Sequence, residues 1–463
     1  GDVYKRQQEG KSNQTMNEEI QPDQVPEAGR QNGEASGRKC YAEPRVWSDK
    51  MLSALERGSE GRKWFSLIDK VYRIETLSIA WEKVRANAGG CGVDGITVDW
   101  FEKDSQSRLL AVKEHLKNQT YKHQEIKRVW IPKAGSKSEK RPLGIPTVRD
   151  RVVQTAVKMV IEPIFEREFA EHSFGFRPGR CCKDALRRVD RNLKAGYVYT
   201  VDADIRSYFD CIDQDKLMEL VKEMIADRRV LDLIEQMLKA GVLENGEREE
   251  TVAGTPQGGV ISPLLANIYL NGLDWAMVKE GFEMTRYADD FIIQCKSAEE
   301  AERALAGVRR WMEAHGLILH PDKTRIVDMS QRGNSFDFLG YSFMRSKRTG
   351  KVTKFPRVKS QKNLRGKIKP LTKRTRGWNV VGVIERINPI LRGYYGYFKH
   401  TTEAYLESVY GWVRARLRGI LRTQGNRRGK ARGRDHQKWP NSYFTQLGLF
   451  SLKDARAEEQ LSL

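Results

Sequence analysis

Three aspartates in this sequence are candidates for chemistry because the predicted strands would bring them together, although 85 residues separate the first from the second. Asp204 ends a stretch, residues 198–205, in which apolar and polar side chains alternate, a period typical of a strand with one buried face. Asp289 and Asp290 lie between two short apolar runs that predict a hairpin. We therefore expect a cluster of three carboxylates.

The elements around these aspartates predict how they would be positioned. Helical periodicity covers residues 148–169, with a bend at Pro163, and residues 216–239. Ser262 and Ser297 each begin a further helical pattern, and residues 324–329 fit a last strand. The order strand, helices, hairpin, helix, strand is typical of the split βαβ plan, which is an α+β fold with helices on one face of an antiparallel sheet. On that plan the strand end and the hairpin tip lie side by side.

Carboxylates packed this closely repel one another unless cations lie between them. Hard oxygen ligands without histidine or thiolate favour Mg²⁺, and two such ions about 4 Å apart would activate a 3′-hydroxyl and neutralise a leaving pyrophosphate. Nucleotidyl transfer is the reaction that this arrangement predicts. The alternative is structural, since an Asp-Asp pair is common in turns and an aspartate at a strand end often only caps the chain.

Charge is concentrated in one region of the 463-residue chain, which is long enough to form two or three hydrophobic cores. Residues 341–440 contain 27 Lys and Arg against 4 Asp and Glu, a net charge of +23, so the rest of the chain carries −2. Aromatic residues are interleaved with these cations, which favours binding of nucleic acid over a merely solvated basic face. The six cysteines are scattered and indicate neither a zinc module nor a disulfide framework. No apolar run is long enough to cross a membrane, and we expect a soluble protein of the cytoplasm of a bacterial-type host, associated with the nucleoid.

Several longer motifs occur in an order that resembles one known family. They are Gly92-Val93-Asp94-Gly95, Arg141-Pro142-Leu143-Gly144-Ile145-Pro146, Ser173-Phe174-Gly175-Phe176-Arg177-Pro178-Gly179, Tyr287-Ala288-Asp289-Asp290, and a ten-residue motif over residues 254–263. Over residues 75–400 the chain is similar to group II intron reverse transcriptases. The resemblance implies a right-hand polymerase with helical fingers, a ferredoxin-like antiparallel palm and a helical thumb. The sequence contains no Cys- and His-bearing endonuclease segment after the basic region, which is typical of the family class without that domain.

The resemblance also implies roles for individual residues around the carboxylates. Asp204, the backbone carbonyl of Ile205, Asp289 and Asp290 would hold two Mg²⁺ ions. Lys323 would protonate the departing pyrophosphate, and an exposed lysine with no such role is the alternative.

Four further residues are implied to contact the incoming deoxynucleotide. Lys133 and Arg141 would meet its triphosphate, and Gln257 would lie against the new base pair. The ring of Phe209 would exclude a 2′-hydroxyl, although a phenylalanine of the core explains the same pattern.

The remaining implied contacts are to nucleic acid. Arg177 would guide the template, and the basic region matches the thumb or maturase region of the family, where Tyr394 replaces a tryptophan. The residues expected to contact RNA or DNA there are Trp378, Arg392, Tyr394, Tyr397, Arg427 and Arg428. The partners implied are group II intron RNA, an RNA template, a DNA primer or target, and dNTPs.

The domain organisation that we predict has five parts. The first is a disordered tail over residues 1–45, in part not native because GDVYKRQ resembles a translated sequencing adapter. It is followed by fingers over 46–195, a palm over 196–345, a thumb over 346–420 and a short basic DNA-binding tail over 421–463. Two other functions remain open at this stage. A domesticated relative could serve phage defence or CRISPR spacer acquisition, and a maturase that only binds RNA would assist splicing without polymerising.

Overall fold

The computed structural model describes most of the chain. The described residues are 42–57, 63–132, 140–244, 246–251, 253–256, 258–427, 429 and 432–461. Residues 1–41 of the predicted tail lie outside these ranges, but Ala42 is already buried in the main core, so the predicted boundary at residue 45 is too late. Among the described residues there is no helix with the length and apolar character that crossing a membrane requires.

A layer of helices forms the N-terminal part of the main core. These helices are α1 (Asp49–Arg57), α2 (Ile68–Val71), α3 (Ile74–Asn87), α4 (Val98–Glu102), α5 (Ser105–Lys117) and α6 (Val148–Glu166). Helix α6 is buried over most of its length and runs through Pro163. It begins where the Thr147 hydroxyl accepts a hydrogen bond from the Asp150 amide, as expected of a helix N-cap.

A four-stranded sheet projects from this helical layer. Its strands are β1 (Ile126–Pro132), β2 (Lys140–Ile145), β4 (Val242–Glu244) and β5 (Glu247–Glu249), in the order β2-β1-β4-β5. Strands β1 and β2 form an antiparallel hairpin, and β4 pairs with β1 in parallel. The predicted fingers loop therefore begins and ends on paired strands.

The central sheet has the split βαβ topology that the sequence predicts. Its strands are β3 (Tyr199–Asp204), β6 (Glu283–Tyr287), β7 (Asp290–Cys295) and β8 (Arg325–Asp328), in the order β6-β7-β3-β8. Every neighbouring pair is antiparallel. The accompanying helices are α7 (Cys182–Lys194), α8 (Tyr208–Cys211), α9 (Gln214–Met224), α10 (Arg228–Leu238), α11 (Ser262–Lys279) and α12 (Ala298–Ala314).

The helical pattern predicted over residues 216–239 is confirmed, but it is interrupted once. Residues 216–239 form two helices instead of one, because Asp227 caps the second. Its carboxylate accepts hydrogen bonds from the amides of Arg229 and Val230 and from those of Leu67 and Ile68. A side chain that binds four backbone amides stabilises the break.

A second, three-stranded sheet lies between the central sheet and the C-terminal helices. Its strands are β9 (Ser335–Phe338), β10 (Tyr341–Arg345) and β11 (Val352–Pro356), in the order β11-β10-β9. Phe336, Phe338 and Phe343 form an aromatic cluster with Ile292 of the central sheet. Strand β10 ends at residue 345 and pairs with β11, which follows it. The predicted boundary at residue 345 therefore falls within one sheet.

The C-terminal helices have their own hydrophobic core. They are α13 (Val358–Leu371), α14 (Val380–Phe398), α15 (Glu403–Gln424), α16 (Gly433–Lys438), α17 (Asn441–Gln446) and α18 (Leu452–Leu461). Trp439, Phe444 and Leu452 are buried in this core with residues of α13, α14 and α15. The predicted division between a thumb and a separate tail at residue 420 is therefore not found, because α15 crosses it and the residues beyond complete the same core.

Candidate active site

The three aspartates lie at one edge of the central sheet. Asp204, the last residue of β3, is the direct register partner of Asp290, the first residue of β7. Asp289 precedes it in the hairpin turn, where Ala288 has a φ of +57°, a left-handed backbone that a residue with a Cβ seldom adopts. The sequence prediction that strand pairing brings these residues together is thus confirmed.

Lys323 lies beside the first of these carboxylates. Its ammonium donates a hydrogen bond of 2.6 Å to Asp204 Oδ2, and both side chains are partly exposed. The loop that carries Lys323 is joined to β3 because the His320 amide donates to the Asp204 carbonyl and the Arg206 amide donates to that of Ile318. These two bonds flank Ile205 and do not use its carbonyl.

Burial and the neighbouring carboxylates raise the pKa values of two aspartates at this edge. Loss of hydration, followed by the neighbouring charge of Asp289, raises the pKa of Asp290 to about 7. Loss of hydration also raises the pKa of Asp289, with Asp204 contributing in the same direction. A bound cation would reverse these shifts, since it favours the ionised carboxylates.

The donor set fits a hard divalent cation such as Mg²⁺, because it consists of carboxylates from two adjacent strands. Throughout the described part of the chain, however, no group of three acidic, histidine or cysteine side chains has the spacing to hold a metal ion as it stands. In the ion pair with Lys323, Asp204 already uses one of its two carboxylate oxygens, Oδ2. The carboxylates that would hold the ion are those of Asp204, Asp289 and Asp290.

One residue at the site was missed by the sequence analysis. Arg286 of β6 is fully buried, and its guanidinium donates to both carboxylate oxygens of Asp274, to Asn267 Oδ1 and to the carbonyl of Ala288. It therefore contacts the hairpin turn that carries Asp289. Strand periodicity does not show that an arginine points into the core. Only its position just before the Tyr-Ala-Asp-Asp motif could have indicated a role for Arg286.

The segment before α7 packs directly on the hairpin turn. The amide of Phe174 donates to the carbonyl of Arg286 at 2.9 Å. A Cβ on Gly175 would lie 2.2 Å from the amide nitrogen of Ala288, so only glycine permits this approach.

Arg177, which is predicted to contact the template, lies in the same segment. Its side chain is buried, binds both carboxylate oxygens of Glu166 and donates to the carbonyls of Ala170 and Ser173. A guanidinium engaged in this way supports the loop.

The motif at residues 254–263 packs against Phe209, against helix α6 and, at Gly258, against Gly144 of the β1–β2 hairpin, which we call the fingers hairpin. The Thr255 amide donates to the Phe209 carbonyl at 2.7 Å. Gly254 has a φ of +83°, and a Cβ there would lie 2.6 Å from that carbonyl oxygen. The amide of Val260 donates to Gln154 Oε1 on α6 at 2.7 Å. Gln257, predicted to lie against the nascent base pair, is outside the described residues.

One of the two predicted contacts to the triphosphate lies on the β1–β2 hairpin. Arg141 is exposed on β2, opposite Ile131 of β1. Lys133 is outside the described residues. Phe209 is half-buried on α8 and its ring packs against that of Tyr208, with 5.4 Å between ring centroids.

The predicted nucleic-acid contacts of the C-terminal helices differ in exposure. Arg392 and Arg427 are exposed, whereas Arg428 is outside the described residues. Trp378 is half-buried, with the guanidinium groups of Arg376 and Arg386 each 4.6 Å from its ring centroid.

The tyrosine rings of α14 make mostly internal contacts. The Tyr394 hydroxyl pairs with that of Tyr405 at 2.6 Å, and its ring packs against Phe398. The Tyr397 hydroxyl donates to the Leu339 carbonyl, which ties α14 to the β9–β10 turn. Of the three predicted aromatics, Trp378 is the one for which the structure shows a cation on each of two sides.

Two family models match the chain. Residues 131–343 match "Reverse transcriptase (RNA-dependent DNA polymerase)", and the central sheet with its carboxylate edge lies inside that match, so this part of the chain is a reverse transcriptase domain with the palm and fingers of a right-hand polymerase. Residues 361–439 match "Group II intron, maturase-specific domain". The chain belongs to the family of group II intron reverse transcriptases, or maturases.

Curated relatives agree with these two matches. The chain is 38% identical over 231 residues to the "Group II intron-encoded protein LtrA" of Lactococcus lactis subsp. cremoris, which covers 48% of this chain and 38% of that protein. It is 32% identical over 295 residues to "Protein YkfC" of Escherichia coli (strain K12), covering 55% of this chain and 76% of that protein. The chain thus spans about two fifths of the length of the first of these relatives. A solved structure, "Partial Cas6-RT-Cas1--Cas2 complex", is 22% identical with a TM-score of 0.33 over 54% of this chain and 41% of that one, which is too low to support an argument.

Proposed function

We propose that this chain is an RNA-directed DNA polymerase of a group II intron that also binds the intron RNA. The observation that carries the proposal is the register of the central sheet, in which Asp204 faces Asp290 across adjacent strands with Asp289 in the turn between β6 and β7. Three carboxylates at the edge of an antiparallel sheet, inside a reverse transcriptase domain, suit the transfer of a nucleotidyl group.

Asp204, Asp289 and Asp290 hold two Mg²⁺ ions in this proposal, with the carbonyl of Ile205 as a further ligand. Ions held there would lower the pKa of the primer 3′-hydroxyl and would stabilise the charge on the leaving pyrophosphate. Lys323 has to leave Asp204 when the site is loaded. Its ammonium can then turn toward the leaving group and supply a proton, because four rotatable bonds lie between it and the backbone.

The incoming dNTP is bound between the fingers hairpin and the carboxylate edge. Arg141 and Lys133 bind its phosphates, and Gln257 contacts the base pair. Phe209 lies beneath the sugar, where its ring excludes a 2′-hydroxyl. The hydrogen bond from Thr255 to the Phe209 carbonyl supports this proposal, since it couples the base-contacting turn to the residue beneath the sugar.

The C-terminal helices bind RNA in this proposal. Residues 341–440, which include most of these helices, carry a net charge of +23, the only large cationic excess in the sequence, and the maturase-specific match covers most of it. Intron RNA, the RNA template and the DNA primer or target are the proposed partners, with splicing and target-primed reverse transcription (retrohoming) as the processes served. Such a protein would act in the cytoplasm and on the nucleoid.

Primer extension on an RNA template tests the proposal. Asp289→Asn keeps the size of the side chain and removes one ligand charge, so it should abolish extension in Mg²⁺ while RNA binding is retained. Asp328→Asn is the matched control, because Asp328 lies at the opposite end of the same sheet, across from Tyr199. Extension by Asp289→Asn at the parental rate, or equal losses in both variants, would refute the assignment.

A further inference from the structure

Arg286 is one of the largest fully buried side chains of the described residues, and it lies two residues before the hairpin turn. Its guanidinium is bound on three sides. It donates to Asp274 at 2.8 and 2.5 Å, to Asn267 Oδ1 at 2.9 Å and to the Ala288 carbonyl at 2.9 Å. One side chain therefore connects helix α11 to the turn that carries the catalytic carboxylates.

The same group of residues also holds the segment that packs on the turn. Asn267 Nδ2 donates to the Gly175 carbonyl at 2.8 Å. The backbone of Arg286 accepts from the Phe174 amide and donates to the His172 carbonyl, both at 2.9 Å. Helix α11, the hairpin and residues 172–175 are thus joined by hydrogen bonds that converge on Arg286 and Asn267.

Stability alone is a poor explanation for this arrangement. A buried ion pair is often no more stabilising than apolar side chains of the same volume, because both charges lose their hydration. What a planar guanidinium provides is direction, since its donors hold fixed angles to one another. Here one of those donors binds the carbonyl of Ala288, whose left-handed backbone needs support from its surroundings.

We propose that Arg286, Asn267 and Asp274 form a positioning network that fixes the Ala288 peptide and thereby sets the geometry with which Asp289 and Asp290 receive divalent cations. This inference rests on the proposed polymerase function. Arg286 is a positioning residue, since it contacts the turn and no substrate. Groups that orient metal ligands commonly change metal affinity or activity by about 10- to 100-fold when they are removed.

Two variants test the network. Arg286→Lys keeps the charge but cannot reach Asp274, Asn267 and Ala288 at once, and Asn267→Ala removes the bonds to Arg286 and Gly175 without leaving a buried charge unpaired. Arg188→Met is the matched control, because Arg188 pairs with Glu283 at the opposite end of the same strand at 2.6 Å. The full-length protein is used in every case.

Mn²⁺ binding is measured by electron paramagnetic resonance, beside the Mg²⁺ dependence of single-turnover primer extension and the affinity for primer and template. We expect both network variants to bind Mn²⁺ about 10-fold more weakly or worse and to require correspondingly more Mg²⁺, with unchanged affinity for primer and template. The control should match the parent in all three. A structural role alone would lower the melting temperature without changing the Mn²⁺ affinity of the folded protein.

Parental Mn²⁺ affinity and Mg²⁺ dependence in a folded Asn267→Ala protein would overturn the inference, whether or not Arg286→Lys folds. A parent protein that binds Mn²⁺ but extends no primer would refute the proposed function, while the Mn²⁺ titration would still decide the role of the network. The two failures are therefore distinguishable.

Discussion

Helix α13 offers a direct test of RNA binding by the C-terminal helices. Four of its lysines are exposed, and we refer to them together as the α13 lysines: Lys359, Lys362, Lys367 and Lys369. They span eleven residues of helix, or about 15 Å. Replacing all four by glutamine leaves the buried residues Leu364 and Ile368 in place, so the helix should keep its packing.

The size of the effect follows from the number of contacts. Each lysine that neutralises a phosphate of single-stranded RNA contributes about 0.7 to the slope of log K against log salt, so loss of four contacts should lower the slope by about 3. When salt is raised from 50 to 200 mM, the fold-loss of affinity should therefore be roughly 50 times smaller for the variant than for the parent. At low salt its binding should be much weaker than that of the parent.

The assay is a fluorescence anisotropy titration of a single-stranded RNA at several salt concentrations. The control replaces four exposed lysines of the N-terminal helices and palm by glutamine: Lys103, Lys117, Lys222 and Lys279. It removes the same net charge, and its slope should stay close to that of the parent. Equal slopes for the parent and the α13 variant, or equal changes in both quadruple variants, would show that RNA is not held by α13.

Three further substitutions have defined outcomes. Phe209→Ala should lower the discrimination between dNTP and rNTP by about 1–3 kcal/mol in the ratio of specificity constants, and an unchanged ratio would make the ring part of the core only. Gly175→Ala places a Cβ 2.2 Å from the Ala288 amide nitrogen and should destabilise the protein by about 1–3 kcal/mol and slow primer extension, whereas parental extension would show that the turn tolerates displacement. Phe444→Ala should cost the C-terminal core about 3–5 kcal/mol and weaken RNA binding, which calorimetry and anisotropy measure, and an unchanged melting profile would contradict the packing described.

Deleting the C-terminal helices is a less specific test than neutralising the α13 lysines. A cut at residue 346 would remove β11, which pairs with β10 along its whole length. It would also expose the aromatic cluster to which Phe398 of α14 contributes. Loss of binding in such a truncation would not separate lost charge from a damaged palm.

Patterns of period two were sufficient to predict the central sheet and the meeting of the three aspartates, because alternation fixes which side chains share a face and pairing fixes their register. The roles of these residues in catalysis stay predictions. Arg286 was not predicted, because its partners on α11 are 12 and 19 residues away and only the packed structure shows that it points inward. The internal partners of Arg177 likewise appear only in the packed structure.

Sequence patterns also predicted neither the helix break at Asp227 nor the shared C-terminal core. Asp227 caps a helix and binds amides from a segment 160 residues earlier, a contact that no local pattern records. Residues 421–440 are rich in cations, which favoured a separate basic tail, yet Trp439 and, just beyond this stretch, Phe444 are buried in one core with residues of α14 and α15. The amino-acid composition of such a segment reflects its many exposed residues and does not identify the few that are buried in a core.

The separation of the two large cores has a consequence for synthesis on the ribosome. The main core is complete at Leu317, whereas the C-terminal core includes Leu452. At about 5–20 residues per second, the intervening chain takes roughly 7–27 s to emerge. For the first part of that interval, until Phe398 emerges, the aromatic cluster around Phe336 is incomplete, so one face of the central sheet is less well covered in the nascent chain. The catalytic half is thus the part most exposed to misassociation before the RNA-binding half has been made.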